Sequence, residues 1–349
     1  MSVASSPARQ LLGKELDGGW KVIHHIQRSS TATGSCFSQG YIVESASGRQ
    51  AFLKALDYSS AFVSPDPARA LQAMTSAFNY ERDLCVKCRN RKLSRVVAAL
   101  TEGRLLVAPE NPASVVQYLI FELAHGDVRS QLDSLEQFDT AWVLRVLHHI
   151  ATGLQQLHTI GIAHQDLKPS NVLVFSAQIA KLADLGRSAY KGEKAPHDDH
   201  PFAGDPAYAP PELLYHHLNE DWGRRRFGCD AYLLGSMVVF FFTRASMTAL
   251  LLNHMDESHH PSDWPGSFPE VLPYLRHSFA QALPLLESEL SAGLREPLMT
   301  AVRQLCEPDP LHRGHPANRI GFRDPFSLER YVSQFDLLAK KVEIGLLGR

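Results

Sequence analysis

The stretch that most constrains this 349-residue chain is H-Q-D-L-K-P-S-N at residues 164–171, followed by D-L-G at 184–186. Between them Val172, Leu173, Val174 and Phe175 form one short apolar run and residues 179–183 a second, with residues 176–178 as the break. Two such runs about a short polar break read as a β-hairpin, which holds Asn171 and Asp184 on one rigid support. The side chains make a coherent chemical set. Asp166 is a carboxylate able to accept a hydroxyl proton, Lys168 is a cation, and Asn171 and Asp184 offer the hard oxygens that magnesium prefers. Phosphoryl transfer asks protein for positioning and charge balance of this kind and for little covalent chemistry.

The arrangement resembles the catalytic and metal loops of eukaryotic-like protein kinases, with two departures: Gln165 replaces the Arg before the catalytic Asp, and Leu185 replaces the Phe of D-F-G. Further matches lie on both sides. In Q-A-F-L-K-A-L at 50–56, a lone Lys within an apolar strand needs an anionic partner, so Lys54 resembles the strand lysine that holds the ATP phosphates. Its partner is expected on the helix at 68–91, where Glu81 shares a face with Phe78 and Cys85 and Asp83 is the competing acid. Y-A-P-P-E at 208–212 resembles A-P-E, with Arg313 placed to neutralise Glu212. D-A-Y-L-L-G at 230–235 resembles the start of a buried central helix, Asp230 holding the catalytic-loop backbone or serving as an N-cap.

The resemblance implies an α+β, two-lobed protein-kinase-like fold with a small β-rich N-lobe and a larger, mainly helical C-lobe. ATP and Mg²⁺ are implied as cofactors, with Asp166 and Lys168 catalytic and Asn171 and Asp184 on the metal. The nucleotide would meet Lys54, Glu81, Gly34, Ser38, Phe121, Glu122, Ala124, Asp127 and Leu173. Of these, Glu122 and Ala124 would supply hinge backbone groups and Asp127 a ribose contact, although an Asp at a helix start serves equally as a cap. The glycine-rich loop is eroded: residues 27–39 contain only Gly34, with Phe37 and Ser38 near the expected turn tip.

Taken in order, residues 1–16 read as a flexible arm, 17–122 as the N-lobe, 123–335 as the C-lobe and 336–349 as a tail. Strands are expected at 20–26, 40–44, 50–56 and 115–121, and a hairpin at 96–108 turning at Glu102 and Gly103. Helices are expected at 140–159, where seven apolar residues from Trp142 to Leu157 make one buried stripe, around 279–290 and 296–305, and at 328–341. The apolar stretch 231–243 is too short to span a bilayer and suits a buried helix.

A net charge of −2 gives no global reason to expect nucleic acid or an anionic membrane as partner. The basic runs at 89–95 and 224–226 read as solvated faces. Five irregularly spaced cysteines, Cys85 and Cys88 among them, and an N-terminus without an apolar signal core suit a reducing, cytoplasmic setting. Three adjacent histidine pairs, such as His148 and His149, point in different directions along a helix and make poor chelators.

Lys168 favours a serine/threonine protein kinase with a protein substrate. A small-molecule kinase shares the loop but lacks the features around Glu212, Asp230 and Arg313; a scaffold-type pseudokinase would need none of Lys54, Asp166, Asn171 and Asp184 together. Without an Arg at 165 the pocket for an activation-loop phosphate lacks its main cation, and residues 191–207 contain no Ser, Thr or Tyr. Regulation by phosphorylation there is therefore not expected. Asp205 takes the place of a Thr that usually bonds the catalytic pair, so it is expected to attract Lys168 and repel Asp166.

Overall fold

Strand alternation builds the first of two units. The computed structural model describes residues 6–27, 37–134, 137–176, 179–200, 202–320 and 324–347. Its first unit comprises Met1–Leu93 and Val97–Ala124, and its second Ser94–Val96 and His125–Arg349. The β-rich first unit and mainly helical second unit are those of the two-lobed α+β class.

In the first unit, β1 (Glu15–Leu16), β2 (Trp20–Ile26), β3 (Ser38–Ser45), β4 (Gln50–Leu56), β5 (Ala99–Leu106) and β6 (Val115–Glu122) form an antiparallel sheet in the order β1-β2-β3-β4-β6-β5. Successive side chains on a strand face opposite ways. Ala51, Leu53 and Ala55 therefore enter a core with Tyr41, Val43, Tyr118 and Ile120, while Lys54 points to the other face. On that face helix α1 (Pro67–Asn90) buries Met74 and Phe78 against Leu56 and Leu119. Asp66 caps α1 by accepting from Arg69 N at 3.0 Å.

Two expectations fail here. Residues 6–16 are no flexible arm: Ala8, Leu11 and Leu16 belong to the sheet core, and Tyr41 donates its hydroxyl proton to the Ala8 carbonyl at 2.7 Å. Three small or medium apolar residues without helical or strand periodicity left no pattern to read. The hairpin at Glu102 and Gly103 is likewise absent, because β5 runs straight through both residues along β6. Gly103 is there for space: a Cβ on it would lie 2.3 Å from the Tyr118 hydroxyl. A glycine in a strand marks such an approach as readily as it marks a turn.

In the second unit β7 (Gly126–Asp127), β9 (Val172–Ser176) and β10 (Ile179–Leu182) form a small sheet in the order β10-β9-β7, and β8 (Ile162–Ala163) pairs with β11 (Ala189–Tyr190). Its helices are α2 (Val128–Ser134), α3 (Thr140–Thr159), α4 (Pro211–Leu214), α5 (Trp222–Thr243), α6 (Met247–Asn253), α7 (Phe268–Glu289), α8 (Ala292–Leu305) and α9 (Glu329–Glu343). The expected tail boundary at 336 falls inside α9, which buries Leu338, Ala339 and Val342 and whose Asp336 and Glu343 both accept from Arg145 of α3 at 2.8 Å.

Helix α5 begins nine residues before the expected 231, capped by Asp221, which accepts from Arg224 N at 2.7 Å. Its 22 residues are long and apolar enough to cross a membrane, yet 89% of the most apolar window is buried inside the protein. Nor is 224–226 a solvated face, since Arg226 is 2% exposed. Gly235 lets α5 approach α8: a Cβ would sit 2.5 Å from Cys306 Sγ and 2.8 Å from Leu305 Cβ. Gly235→Ala should therefore cost about 1–3 kcal/mol by overpacking, against a helix-propensity gain of roughly 1 kcal/mol. Urea unfolding reads the balance, and a variant at least as stable as wild type would show that this contact can relax.

Candidate active site

The first unit supplies one ion pair. Lys54 Nζ, on the face of β4 that looks at α1, donates to Glu81 Oε1 at 2.7 Å and Oε2 at 2.9 Å. Glu81 is 5% exposed, so the pair is charge-assisted in a setting that would penalise either partner alone. Asp83, the competing acid, is exposed and bonded by its neighbour Arg82. Phe121 packs beside Met74 and Phe78. Glu122 fastens β6 to the preceding chain, its Oε1 accepting from Ala98 N at 2.7 Å, and Ala124 is the last residue of this unit. Ser38 is not at a turn tip. It is the first rung of β3, opposite Leu56, and the pairing continues into Asp57 N donating to the Phe37 carbonyl at 2.9 Å. Gly34 lies outside the described residues.

The second unit gathers the remaining groups. Asp127 stands opposite Leu173 in the β7–β9 pairing, and its Oδ1 accepts from Ser130 N at 2.9 Å, which is the cap arrangement. Asn171 Nδ2 donates to the Asp166 carbonyl at 2.7 Å and to Asp166 Oδ2 at 2.9 Å, an orientation that leaves the amide oxygen for a cation. Ala183 N donates to the Asn171 carbonyl at 2.9 Å, which ties the approach to Asp184 to the end of the 164–171 stretch. Asp184 adopts the left-handed backbone region (φ 62°) and accepts from Gly186 N at 3.4 Å. Such a conformation is uncommon for a residue with a side chain, and Asp tolerates it better than most.

Lys168 Nζ lies 3.4 Å from Asp166 Oδ2 and 3.4 Å from Asp205 Oδ2, so one cation serves two carboxylates. The expected repulsion between the acids is softened by a second contact, Asp205 N donating to Asp166 Oδ1 at 3.0 Å. Burial raises the Asp166 pKa; Lys168 and His164 oppose the rise and Asp184 adds to it. Gly204 permits the close approach: a Cβ there would meet the Gln165 carbonyl at 2.4 Å and Asp166 Oδ1 at 3.0 Å.

Three further groups support the site. His164 Nε2 donates to the Ala183 carbonyl at 3.0 Å and Nδ1 lies 3.3 Å from Asp166 N, so the ring links residues 164–166 to the approach to Asp184. Asp230 holds the backbone of residues 164 and 165, as expected, and is no helix cap. From the third turn of α5 it accepts from His164 N at 2.7 Å, Gln165 N at 2.8 Å and His158 Nε2 at 2.9 Å. Its burial would raise the pKa, but His158, His164 and the Gln165 amide outweigh burial and hold it below the usual range. The third is Arg226. With Gln165 in place of an Arg, this buried guanidinium brings a cation to the same place: it pairs with Asp198 and donates through Nη1 to Gln165 Oε1 at 3.2 Å.

Glu212 and Arg313 form a bidentate pair at 2.6 and 2.7 Å. Carbonyls of Gly228, Glu307 and Pro308 take the other three guanidinium N–H groups at 3.0–3.4 Å.

The protein kinase domain family matches residues 67–263, more than half of the chain. The chain belongs to that family. The matched segment begins after β4, so the strands that carry Ser38 and Lys54 lie outside it. Among similar proteins, the mouse hormonally up-regulated neu tumor-associated kinase is 27% identical over 56% of this chain and 24% of its own length. CBL-interacting protein kinase 26 of rice is 34% identical over 28% of this chain and 20% of its own. The dual specificity protein kinase shkB of Dictyostelium discoideum is 30% identical over 39% of this chain and 20% of its own. The chain thus spans a quarter or less of each of these relatives.

Proposed function

We propose that this chain transfers the γ-phosphoryl group of ATP, with Mg²⁺, to Ser or Thr hydroxyls of a protein substrate. The observation that carries the reading is the set of contacts around Asp166, where Lys168, Asn171 and the Asp205 amide converge on one buried carboxylate beside Asp184. Asp166 orients the acceptor hydroxyl and takes its proton, and Lys168 balances phosphate charge. The oxygens of Asn171 and Asp184 would hold Mg²⁺, which prefers hard ligands and would neutralise phosphate charge there. Lys54, fixed by Glu81, is the cation for the α- and β-phosphates. The Ser/Thr preference rests on Lys168, and a relative named as dual specificity keeps acceptor mapping part of the test.

The reaction runs without phosphorylation of the activation segment, residues 187–207. Of the three hydroxyls in or beside it, two are poorly placed for a modifying enzyme: Ser188 is fully buried and donates to the His164 carbonyl at 3.2 Å, and Tyr208 is buried with Arg129 donating to its oxygen at 2.8 Å, while Tyr190 is half-buried in β11.

One observation favours a second reading, a nucleotide-binding scaffold: Lys168 is divided between two carboxylates. Calorimetry separates the two. A transferase built as proposed binds ATP measurably only with Mg²⁺, because Asn171 and Asp184 act on phosphate through the metal. Equal affinity with and without Mg²⁺ would favour the scaffold.

A further inference from the structure

Gln165 sits in the left-handed backbone region (φ 66°) and is fully buried. A non-glycine residue stays in such a conformation only where its surroundings over-determine it. Here they do. Its backbone N–H and side-chain Nε2 both donate to Asp230 Oδ1, at 2.8 and 3.1 Å; Nε2 also donates to the Arg226 carbonyl at 2.8 Å, and Oε1 accepts from Arg226 Nη1 at 3.2 Å. Only this orientation of the amide works, since the flipped one would set its oxygen against the Asp230 carboxylate and its N–H groups against the guanidinium.

Arg226 uses its other nitrogen on the activation segment. Nη2 pairs with Asp198 Oδ1, while Asp198 Oδ2 accepts from Ala195 N at 2.8 Å and the Asp198 carbonyl accepts from Arg225 Nη2 at 3.4 Å. The guanidinium side chain is 3% exposed and the carboxylate 25%. Burial, with Arg187 and Arg226 nearby, pushes His197 down to about 4, so that ring adds no positive charge near neutral pH.

We infer that Arg226 is a positioning residue, acting through Gln165 on the backbone of Asp166, and that Asp198 is its permanent anionic partner. In kinases switched by phosphorylation, an added phosphate supplies the charge that orders this segment. Here the charge is encoded in the sequence, on a residue no phosphatase can strip. The inference deepens the reading of the chain as a phosphotransferase and rests on it. Asp198→Asn keeps the shape and removes the charge, stranding the buried guanidinium beside Gln165.

The test compares wild type, Asp198→Asn and Asp198→phosphoserine, the last made by encoded incorporation. Two readouts are taken: amide hydrogen exchange across residues 187–200, and kcat with the KM for ATP. Asp198→Asn should exchange faster across 195–200 and lose roughly 10- to 100-fold in kcat, the range expected when a reacting group is misplaced by up to about 1 Å. The KM for ATP should hold within about two-fold, since no nucleotide contact is removed. Phosphoserine should restore both readouts. Should Asp198→Asn fail to fold, Asp198→Glu takes its place: near wild-type exchange and kcat uphold the charge pair, and a loss as large as that expected for Asn overturns it. Unchanged exchange and kcat in Asp198→Asn overturn the inference, and so does a loss that phosphoserine fails to restore. Wild type without any transfer overturns the phosphotransferase reading and the positioning role with it, while faster exchange in Asp198→Asn still upholds Asp198 as the anchor of the segment.

Discussion

Asp166→Ala should lower phosphoryl transfer about 10²–10⁴-fold, the usual contribution of a positioned general base, without lowering the melting temperature. The second half of that expectation comes from the sign of the pKa shift. Burial raises the Asp166 pKa, so the fold disfavours the charged form and the ionised carboxylate subtracts from stability at neutral pH. Alanine removes that penalty, and Lys168 keeps Asp205 as a partner. Asp184→Asn should also eliminate transfer, because it takes a charge from the metal ligands while keeping the side chain's shape. Lys54→Met differs from both. It takes the cation from Glu81, 5% exposed, and should lose stability along with activity. Turnover near wild type in a folded Asp166→Ala protein would remove Asp166 from the role of base.

Arg313→Met should destabilise the protein by about 3–5 kcal/mol, the cost of breaking a buried pair from one side. Arg313 is 1% exposed and all five of its N–H groups are bonded. Its loss leaves the Glu212 carboxylate buried without its cation, and takes one donor from each of three carbonyls. Removing both charges is a different experiment: Glu212→Leu with Arg313→Met should recover a large part of the loss, because a well-packed apolar pair often matches a buried ion pair. Thermal melting of the two single variants and the double variant measures the coupling. Single variants within about 1 kcal/mol of wild type would mean that water or neighbouring groups replace the partner.

Much of this was readable because the residues concerned carry local signals. Lys54 stands out as a charge in an apolar strand, and Glu81 lies three and four residues from Phe78 and Cys85 on one helix face. The hairpin of β9 and β10 follows from two apolar runs of strand length. What escaped depended on contacts distant in sequence. Arg226 belongs to a run of three arginines, which usually marks a solvated face, and only the fold brings Gln165 and Asp198 to it. The role of Asp230 was readable from the D-A-Y-L-L-G resemblance, but the start of its helix was not, because the true cap lies nine residues earlier at Asp221. Helix α7 was expected only from about 279, since Pro273 interrupts the pattern, yet Ser267 and Glu270 form a capping box that starts it at Phe268. Gly103 and Gly204 carry no periodic signal at all; each reports the room another group needs.

Transfer of phosphate from ATP to protein hydroxyls by the groups around Asp166 is tested by incubating the purified protein with γ-labelled ATP, Mg²⁺ and a generic protein acceptor. Mass spectrometry then locates the label, with Asp166→Ala run in parallel. Label is expected on Ser or Thr residues with wild type, dependent on Mg²⁺ and lost in the variant. Absence of label with folded wild type, or equal labelling by Asp166→Ala, would contradict it.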